Sequence, residues 1–336
     1  MDSFWASQLG FIQALQGLGG WLTPPMLLLS LLGREEFYLL VMPGLLWCLN
    51  ADLGFRVGLL FLTSSQVNAL FKLALHDPRP YWISSEAKAL SVEGTFGLPS
   101  GHAQHSLAVW GRIAARVGKS WAWVAALTLV FFIGLSRVYL GVHFPIDVLA
   151  GWLIGGVLLW AFLRWERPVG AWLARQSLMA QAGLAFLASI IPILLSLVTL
   201  TLVMTVPLPA DWVRNARAAP DALFDPYSLT DFWSAGGAFF GLAVGWAWTL
   251  RHGGFRADGT AWQRILRFVI GLIGVMVIRQ GLGAIFPRDE TLIAYLFRYL
   301  RYTLIGLWIS GGAPLVFARV GLTEVRDRLV QPRTSL

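Results

Sequence analysis

The 336-residue sequence has one cysteine, Cys48, so an intrachain disulfide is excluded. No cluster of Cys and His has the spacing of a structural zinc site. Charge is scarce: Asp, Glu, Lys and Arg make up 13% of the chain, about half of the ~25% usual in soluble domains. Carboxylates are scarcer than cations, 18 against 26. No Lys or Arg precedes Arg34, so the N-terminal stretch lacks the basic region of a cleavable signal peptide, and none is expected. No internal repeat or low-complexity tract is visible. With 57% hydrophobic residues and so little polar surface, a soluble domain is excluded and the chain belongs to the membrane class.

Long apolar runs are abundant. A helix needs about 20 apolar residues to cross the hydrocarbon core, and lipid leaves helix as the form that satisfies each backbone group within its own segment. Nine candidate spans follow, at about 36–51, 55–75, 100–117, 121–140, 145–163, 179–205, 232–250, 265–284 and 297–318. The expected fold is an all-α polytopic membrane protein of about nine transmembrane helices. Residues 1–34 carry Phe4, Trp5, Phe11, Leu15 and Leu18 at helical spacing, then Pro24-Pro25. They are expected to form an interfacial amphipathic segment. A charged break at Arg164-Trp165-Glu166-Arg167-Pro168 suggests a five-span core over 35–165 and a four-span C-terminal region over 166–336.

With nine spans, most of the 26 basic residues fall on one side, including Arg112, Arg116, Lys119, Arg164, Arg167, Arg251, Arg256, Arg326, Arg328 and Arg333. By the positive-inside bias that side is cytoplasmic. The net charge of +8 then sets membrane orientation, and no stripe of basic residues with interleaved aromatics points to nucleic acid.

Three segments on the opposite side hold the unusual polar residues. They are Lys72 through Asp77-Pro78-Arg79-Pro80, then Pro99-Ser100-Gly101-His102, then Ser136-Arg137 through His143 and Asp147. Lys72, Arg79 and Arg137 are cations without a matching carboxylate cluster, and cations at a membrane boundary need a partner. A phosphate would serve all three. Ser100-Gly101-His102 reads as a helix start, whose free N–H groups favour an anion. His143 and Asp147, four apart, share a helix face. A carboxylate on one imidazole nitrogen leaves the other free to attack, and His102 is placed to protonate a leaving oxygen. No carboxylate pair is placed to hold a metal, and no cofactor is expected.

The spaced set Lys72, Arg79, Pro80, Pro99, Ser100, Gly101, His102, Ser136, Arg137, His143 and Asp147 resembles the type 2 phosphatidic acid phosphatase superfamily over about residues 35–165. The resemblance implies that His143 is the nucleophile, His102 the general acid and Asp147 its partner in the His143 pair. It implies phosphate binding by Lys72, Arg79, Ser100, Gly101 and Arg137. The nine-span layout is similar to sphingosine-1-phosphate phosphatases and glucose-6-phosphatases. The expected activity is metal-independent hydrolysis of a lipid phosphate (phosphatidate, a sphingoid-base phosphate, or a polyprenyl phosphate or diphosphate) through a phosphohistidine. A phosphotransferase and a sugar-phosphate phosphatase are the alternatives. The expected partners are the lipid phosphate and membrane lipids. The expected location is a bacterial inner membrane with a periplasmic site, or the endoplasmic reticulum with a lumenal one. The complete set argues against a transporter or scaffold.

Other residues receive structural readings. His76 and His105 are read as packing histidines, Asp77 and Glu36 as local pairing groups, and Cys48 as a core or lipid-facing residue. The acidic residues Asp211, Asp221, Asp225 and Asp231 are read as a solvated loop. Gly236-Gly237 and Gly281-x-Gly283 are read as helix-packing surfaces. Arg279, deep in a span, is a candidate for substrate contact.

Overall fold

In a computed structural model the described residues are 3–84, 86–219, 224–287 and 289–323. Asp221, Arg288, Arg326, Arg328 and Arg333 lie outside them. Among the described residues the chain is all-helical, without a strand. Helices α1 (Ser3–Gly17), α2 (Thr23–Leu31) and α3 (Glu35–Gly44) lead to α4 (Ala51–Leu75) and the short α5 (Pro80–Ile83). Then come α6 (Gly101–Val117), α7 (Ser120–Tyr139), α8 (Pro145–Ala174), α9 (Leu178–Val203), α10 (Ala210–Ala218), α11 (Thr230–Arg251), α12 (Ala261–Ile285), α13 (Leu292–Leu307) and α14 (Ala313–Arg319).

Six helical stretches among the described residues are long and apolar enough to cross a membrane: Ala51–Ile83, α7, α8, α9, α12 and Leu292–Arg319. The protein is a multi-spanning membrane protein. The three other expected spans also coincide with helices, and each has a reason to fall short of that measure. Pro43 sits inside α3, which continues as a π-helical turn over Leu45–Leu49. A proline removes a backbone donor and bends the helix there. Helix α6 has 17 residues, with Arg112 and Arg116 in its last turns. Helix α11 is long enough at 22 residues but rich in Gly and Trp.

The chain forms two compact units. The first comprises Met1–Tyr38, Thr63–Pro168 and Ile191–Phe232. Its centre is the packing of α6 on α7, with α2 also on α7. Helix α8 approaches α6 through glycines: a Cβ on Gly155 would stand 2.6 Å from Gln104 O, and one on Gly151 2.6 Å from Ser100 O. Small residues are what let two membrane helices come this close. At the far end of α6, Arg112 pairs with Glu166 of α8 at 3.1 Å. Both N-terminal helices fold onto the same unit. Gln16 donates to Tyr139 O and Lys88 O at 2.9 Å each, and the Thr23 and Tyr139 hydroxyls are 3.1 Å apart.

The second unit comprises Leu39–Leu62, Val169–Ile190 and Trp233–Leu336. Indole and hydroxyl donors stitch it. Trp47 Nε1 donates to Ile309 O at 2.8 Å, Trp308 Nε1 to Gly271 O at 2.9 Å, and Ser310 Oγ to Leu242 O at 2.9 Å. A capping box between Thr260 and Gln263 starts α12. The packing role expected of Gly237 is seen, since a Cβ there would be 2.3 Å from Tyr299 O. Gly281 has open space instead. Half-buried Cys48 points its thiol at Arg264 O, 3.2 Å away.

Candidate active site

The polar segments meet within the first unit because each sits at a helix end. Lys72 is in the last turn of α4, Arg79 immediately precedes α5, Ser100 caps α6, Arg137 is in the last turn of α7, and Asp147 is in the first turn of α8. His143 lies in the short connection from α7 to α8.

His143 Nδ1 is 3.1 Å from Asp147 Oδ2, and the same oxygen accepts from Phe144 N at 2.9 Å. Asp147 is 0% exposed and His143 1%. The backbone closes the arrangement, with Ser100 N donating to Asp147 O at 2.9 Å. The proton on Nδ1 is therefore assigned by its carboxylate partner, leaving Nε2 with the lone pair. Burial, then Arg79 and Lys72, holds the His143 imidazole well below its ordinary pKa, so the ring is neutral.

Arg79 is fully buried, and its guanidinium is occupied by the protein itself. Nε donates to Thr95 O at 2.6 Å, Nη1 to Val142 O at 2.9 Å, and Nη2 to Phe96 O at 3.0 Å and Thr95 Oγ1 at 3.3 Å. Nη1 also faces His143 Nε2 at 3.3 Å. Lys72 Nζ donates to Thr95 Oγ1 at 3.1 Å. Arg137 bonds through Nη1 to Ser30 Oγ and through Nη2 to Glu93. The sequence reading of three cations without a carboxylate is thus incomplete, because Glu93 supplies one to Arg137. Burial alone would raise the Glu93 carboxyl, but Arg137, Arg79, His102 and Lys72 outweigh it and hold the group far below the usual carboxylate range.

Several polar atoms here are buried without a hydrogen-bond partner among the described residues: His102 Nε2, Ser100 Oγ, Arg137 Nε and Asp147 Oδ1. Such atoms are rare in folded proteins and call for an explanation.

A cavity of about 440 Å³ opens beside these groups. Of the eight site residues expected from sequence, Lys72, Gly101, His102 and His143 line it, while Arg79, Ser100, Arg137 and Asp147 stand behind that surface. Sequence reading missed Glu93, Thr95, Ser30, Glu35 and Asn68. A signal for Glu93 was available: it is one of two acids, with Glu86, in the stretch between the motifs that end at Pro80 and begin at Pro99. His105 does more than pack, because it lines the cavity and its Nδ1 is 2.9 Å from Ser64 Oγ. His76 does pack, edge-on to Phe96 and Tyr227 at 4.7 and 5.7 Å. The acidic residues Asp211, Asp225 and Asp231 are exposed, and two of them also have contacts that the sequence did not show. Asp211 is a surface residue paired with Arg214, but Asp225 N donates to Gly94 O at 3.1 Å and Asp231 lines the cavity, as does Glu36. Residues 224–231 pack within the first unit, where Phe224 meets Trp82 and Tyr227 meets Phe96. Arg279 is exposed on α12 and is not among the cavity residues.

Sequence comparison places the chain among known proteins. Residues 53–170 match the PAP2 superfamily, and residues 233–325 match the transmembrane extension of PAP2 superfamily phosphatases. The chain is 28% identical over 331 residues to glucose-6-phosphatase 3 of Bos taurus, covering 90% of this chain and 92% of that protein. It is 29% identical over 133 residues to undecaprenyl-diphosphatase of Sulfolobus acidocaldarius, covering 39% of this chain and 64% of that one. A crystal structure of a transmembrane PAP2-type phosphatidylglycerolphosphate phosphatase from Bacillus subtilis aligns with a TM-score of 0.45 and 26% identity, over 50% of this chain and 89% of that one. With a phosphatase domain, its membrane extension and the spaced motifs in one chain, the protein belongs to the PAP2 superfamily of membrane phosphatases.

Proposed function

We propose that this membrane phosphatase hydrolyses a phosphate monoester through a phosphohistidine formed on His143. The observation that carries the reading is the buried Asp147–His143 pair at the cavity lining, where Asp147 holds Nδ1 and Nε2 meets only the Arg79 guanidinium among the described contacts. Nε2 attacks phosphorus as the bond to the leaving oxygen breaks, and His102 Nε2 delivers a proton to that oxygen. Water then gives a proton back to His102 and attacks phosphorus, the N–P bond breaks, and phosphate leaves with His143 restored.

Lys72 and the N–H groups at the start of α6 meet the equatorial oxygens, and Arg137 and Ser100, set behind the lining, add the charge and the unpartnered Nε and Oγ. Arg79 has a narrower part than the motif suggested. Its donors hold the Thr95–Phe96 and Val142–His143 backbone, and the one N–H aimed at His143 Nε2 passes to an oxygen of the phosphoryl group once that nitrogen is bonded to phosphorus. The three cations supply the charge that a metal supplies in other phosphoryl-transfer sites.

Two substrate classes fit this chemistry. Relatives named for lipid phosphates support the lipid reading, among them lipid A 4'-phosphatase of Bacteroides thetaiotaomicron. The cavity favours a polar phosphate ester such as a sugar phosphate, since most of its lining residues are charged or hydrogen-bonding. The basic loops support a site facing the periplasm or lumen.

Rapid quenching with 32P-labelled substrate tests the mechanism. The expected result is an acid-labile, alkali-stable label on the protein that is lost in His143→Ala. An acid-stable label, or one retained in that variant, rejects it.

A further inference from the structure

We infer that Glu35 and Asp231 select the substrate by accepting hydrogen bonds from hydroxyl groups on its leaving part. This rests on the phosphatase reading above and deepens it. The cavity lining has two parts that share α4. One carries His143, His102 and Lys72; the other comprises the start of α3, Ser65 and Asn68 of α4, and the segment entering α11. Glu35 and Asp231 belong to the second part and line the same space as His143, His102 and Lys72.

Each carboxyl keeps oxygen lone pairs that accept hydrogen bonds, and the negative charge that the pair carries repels a phosphate. Neither acid therefore serves the phosphoryl group. Both face whatever is attached to it. His102 Nε2, buried and without a partner among the described residues, marks where the leaving oxygen sits, so the remainder of the leaving group extends from His102 across the cavity.

Glu35 is held ready for that contact. Its Oε1 accepts from Ser65 Oγ at 3.0 Å and lies 3.8 Å from His105 Nε2. Its side chain is still 49% exposed, leaving lone pairs for a ligand. Gly33 brings this stretch against the catalytic acid, since a Cβ there would be 2.8 Å from His102 Cδ2. Asp231 arrives from far along the sequence, in the first turn of α11.

An acyl chain gains nothing from such a lining, because burying these polar groups against hydrocarbon costs their hydrogen bonds. An ammonium would suit two carboxylates, but Arg34 and Lys72 border the same space and oppose a third cation. A polyol supplies several O–H donors without charge. Glu35 and Asp231 also lie outside both family-matched stretches, 53–170 and 233–325, so these two acids belong to parts of the chain that the family match does not cover.

The test uses the full chain in detergent, with kcat/KM measured on glucose 6-phosphate, O-phosphoethanolamine, p-nitrophenyl phosphate and phosphatidate. Glucose 6-phosphate should be preferred. Glu35→Gln, which keeps the bond to Ser65, and Asp231→Asn should each lower the ratio of glucose 6-phosphate to p-nitrophenyl phosphate by about tenfold or more, chiefly through KM. Turnover of p-nitrophenyl phosphate reports that each variant is folded. An unchanged ratio in both variants, or a preference for the ammonium ester or for phosphatidate, overturns the inference. If the unaltered protein releases phosphate from none of the four, the phosphatase reading itself falls, and this inference with it.

Discussion

The part of the cavity wall built around His143 and the part that carries Glu35 and Asp231 differ in how their side chains are held. His143, Asp147 and Arg79 are at most 1% exposed and bind one another or main-chain oxygens across three helix ends. Glu35 and Asp231 are exposed to the cavity, and Glu35 is steadied by a hydroxyl of its neighbour α4. A nucleophile must be fixed to within a fraction of an ångström, which only a packed and hydrogen-bonded surround provides. A group that reads the leaving part needs one or two hydrogen bonds and tolerates movement. One part is thus built for geometry and the other for selection, and substitutions should separate the two.

The largest effect is expected at His143. Replacing it with Ala should reduce phosphate release from every ester by about 10⁴-fold or more, in protein that still inserts and purifies as the parent does. A variant that keeps near-normal turnover would erase the distinction between the two parts. Asp147→Asn comes next. The amide can no longer anchor the Nδ1–H proton as a carboxylate does, so kcat should fall by about 10³-fold while KM moves little. A loss in KM alone would place Asp147 in binding.

Glu93 sharpens the boundary, because its carboxylate sits on Arg137 where an anion would bind. In Glu93→Gln, inorganic phosphate and vanadate should inhibit several-fold more strongly, by about 1 kcal/mol of released competition. Weaker inhibition would mean that Glu93 positions Arg137 instead of competing for it. Excess EDTA should leave turnover unchanged, since the cations around His143 are side chains. Strict dependence on Mg²⁺ or Zn²⁺ would show otherwise. The smallest effect is a labelling pattern. On a Cys48→Ser background, a cysteine replacing Lys88 should react with an impermeant reagent in intact cells, and one replacing Lys119 should not. The reverse result puts both parts of the cavity wall on the other side of the membrane.

What sequence could and could not reveal follows the same division. The helix starts at Ser100 and Pro145 and the His143–Asp147 spacing are local features, and local geometry is written in adjacent residues. The spans followed from composition, although α3, α6 and α11 show that helix and membrane span are separate matters. The pairing of Glu93 with Arg137 joins positions 44 apart, and Ser30 with Arg137 joins positions 107 apart. Only tertiary packing creates such contacts. Asp231 looked like part of a solvated loop because nothing nearby in sequence says that Phe224 and Tyr227 will fold that segment onto Trp82 and Phe96. Arg79 was legible as a motif residue, but its bonds to main-chain oxygens were not, because they depend on where residues 95, 96 and 142 come to lie.

The buried amide chain between α4 and α6 has a mechanical consequence. Asn68 Nδ2 donates to Gln104 Oε1 at 2.9 Å and to Pro99 O at 3.2 Å, and Gln104 Nε2 donates to Ser64 O at 2.8 Å. Ser64 and Gln104 are 0% exposed and Asn68 5%, so no water stands ready to replace a lost bond. Sliding one helix past the other by a single residue, about 1.5 Å, would break all three bonds at once and strand four polar groups. The bonds therefore act as a vernier between the two helices, with one aligned setting. Lys72 is one turn beyond Asn68 on α4, and His102 is two residues before Gln104 on α6, so that setting fixes how the cation and the acid are spaced. Asn68→Ala or Gln104→Ala should therefore scatter their alignment and cost turnover on all substrates alike, without touching the phosphate.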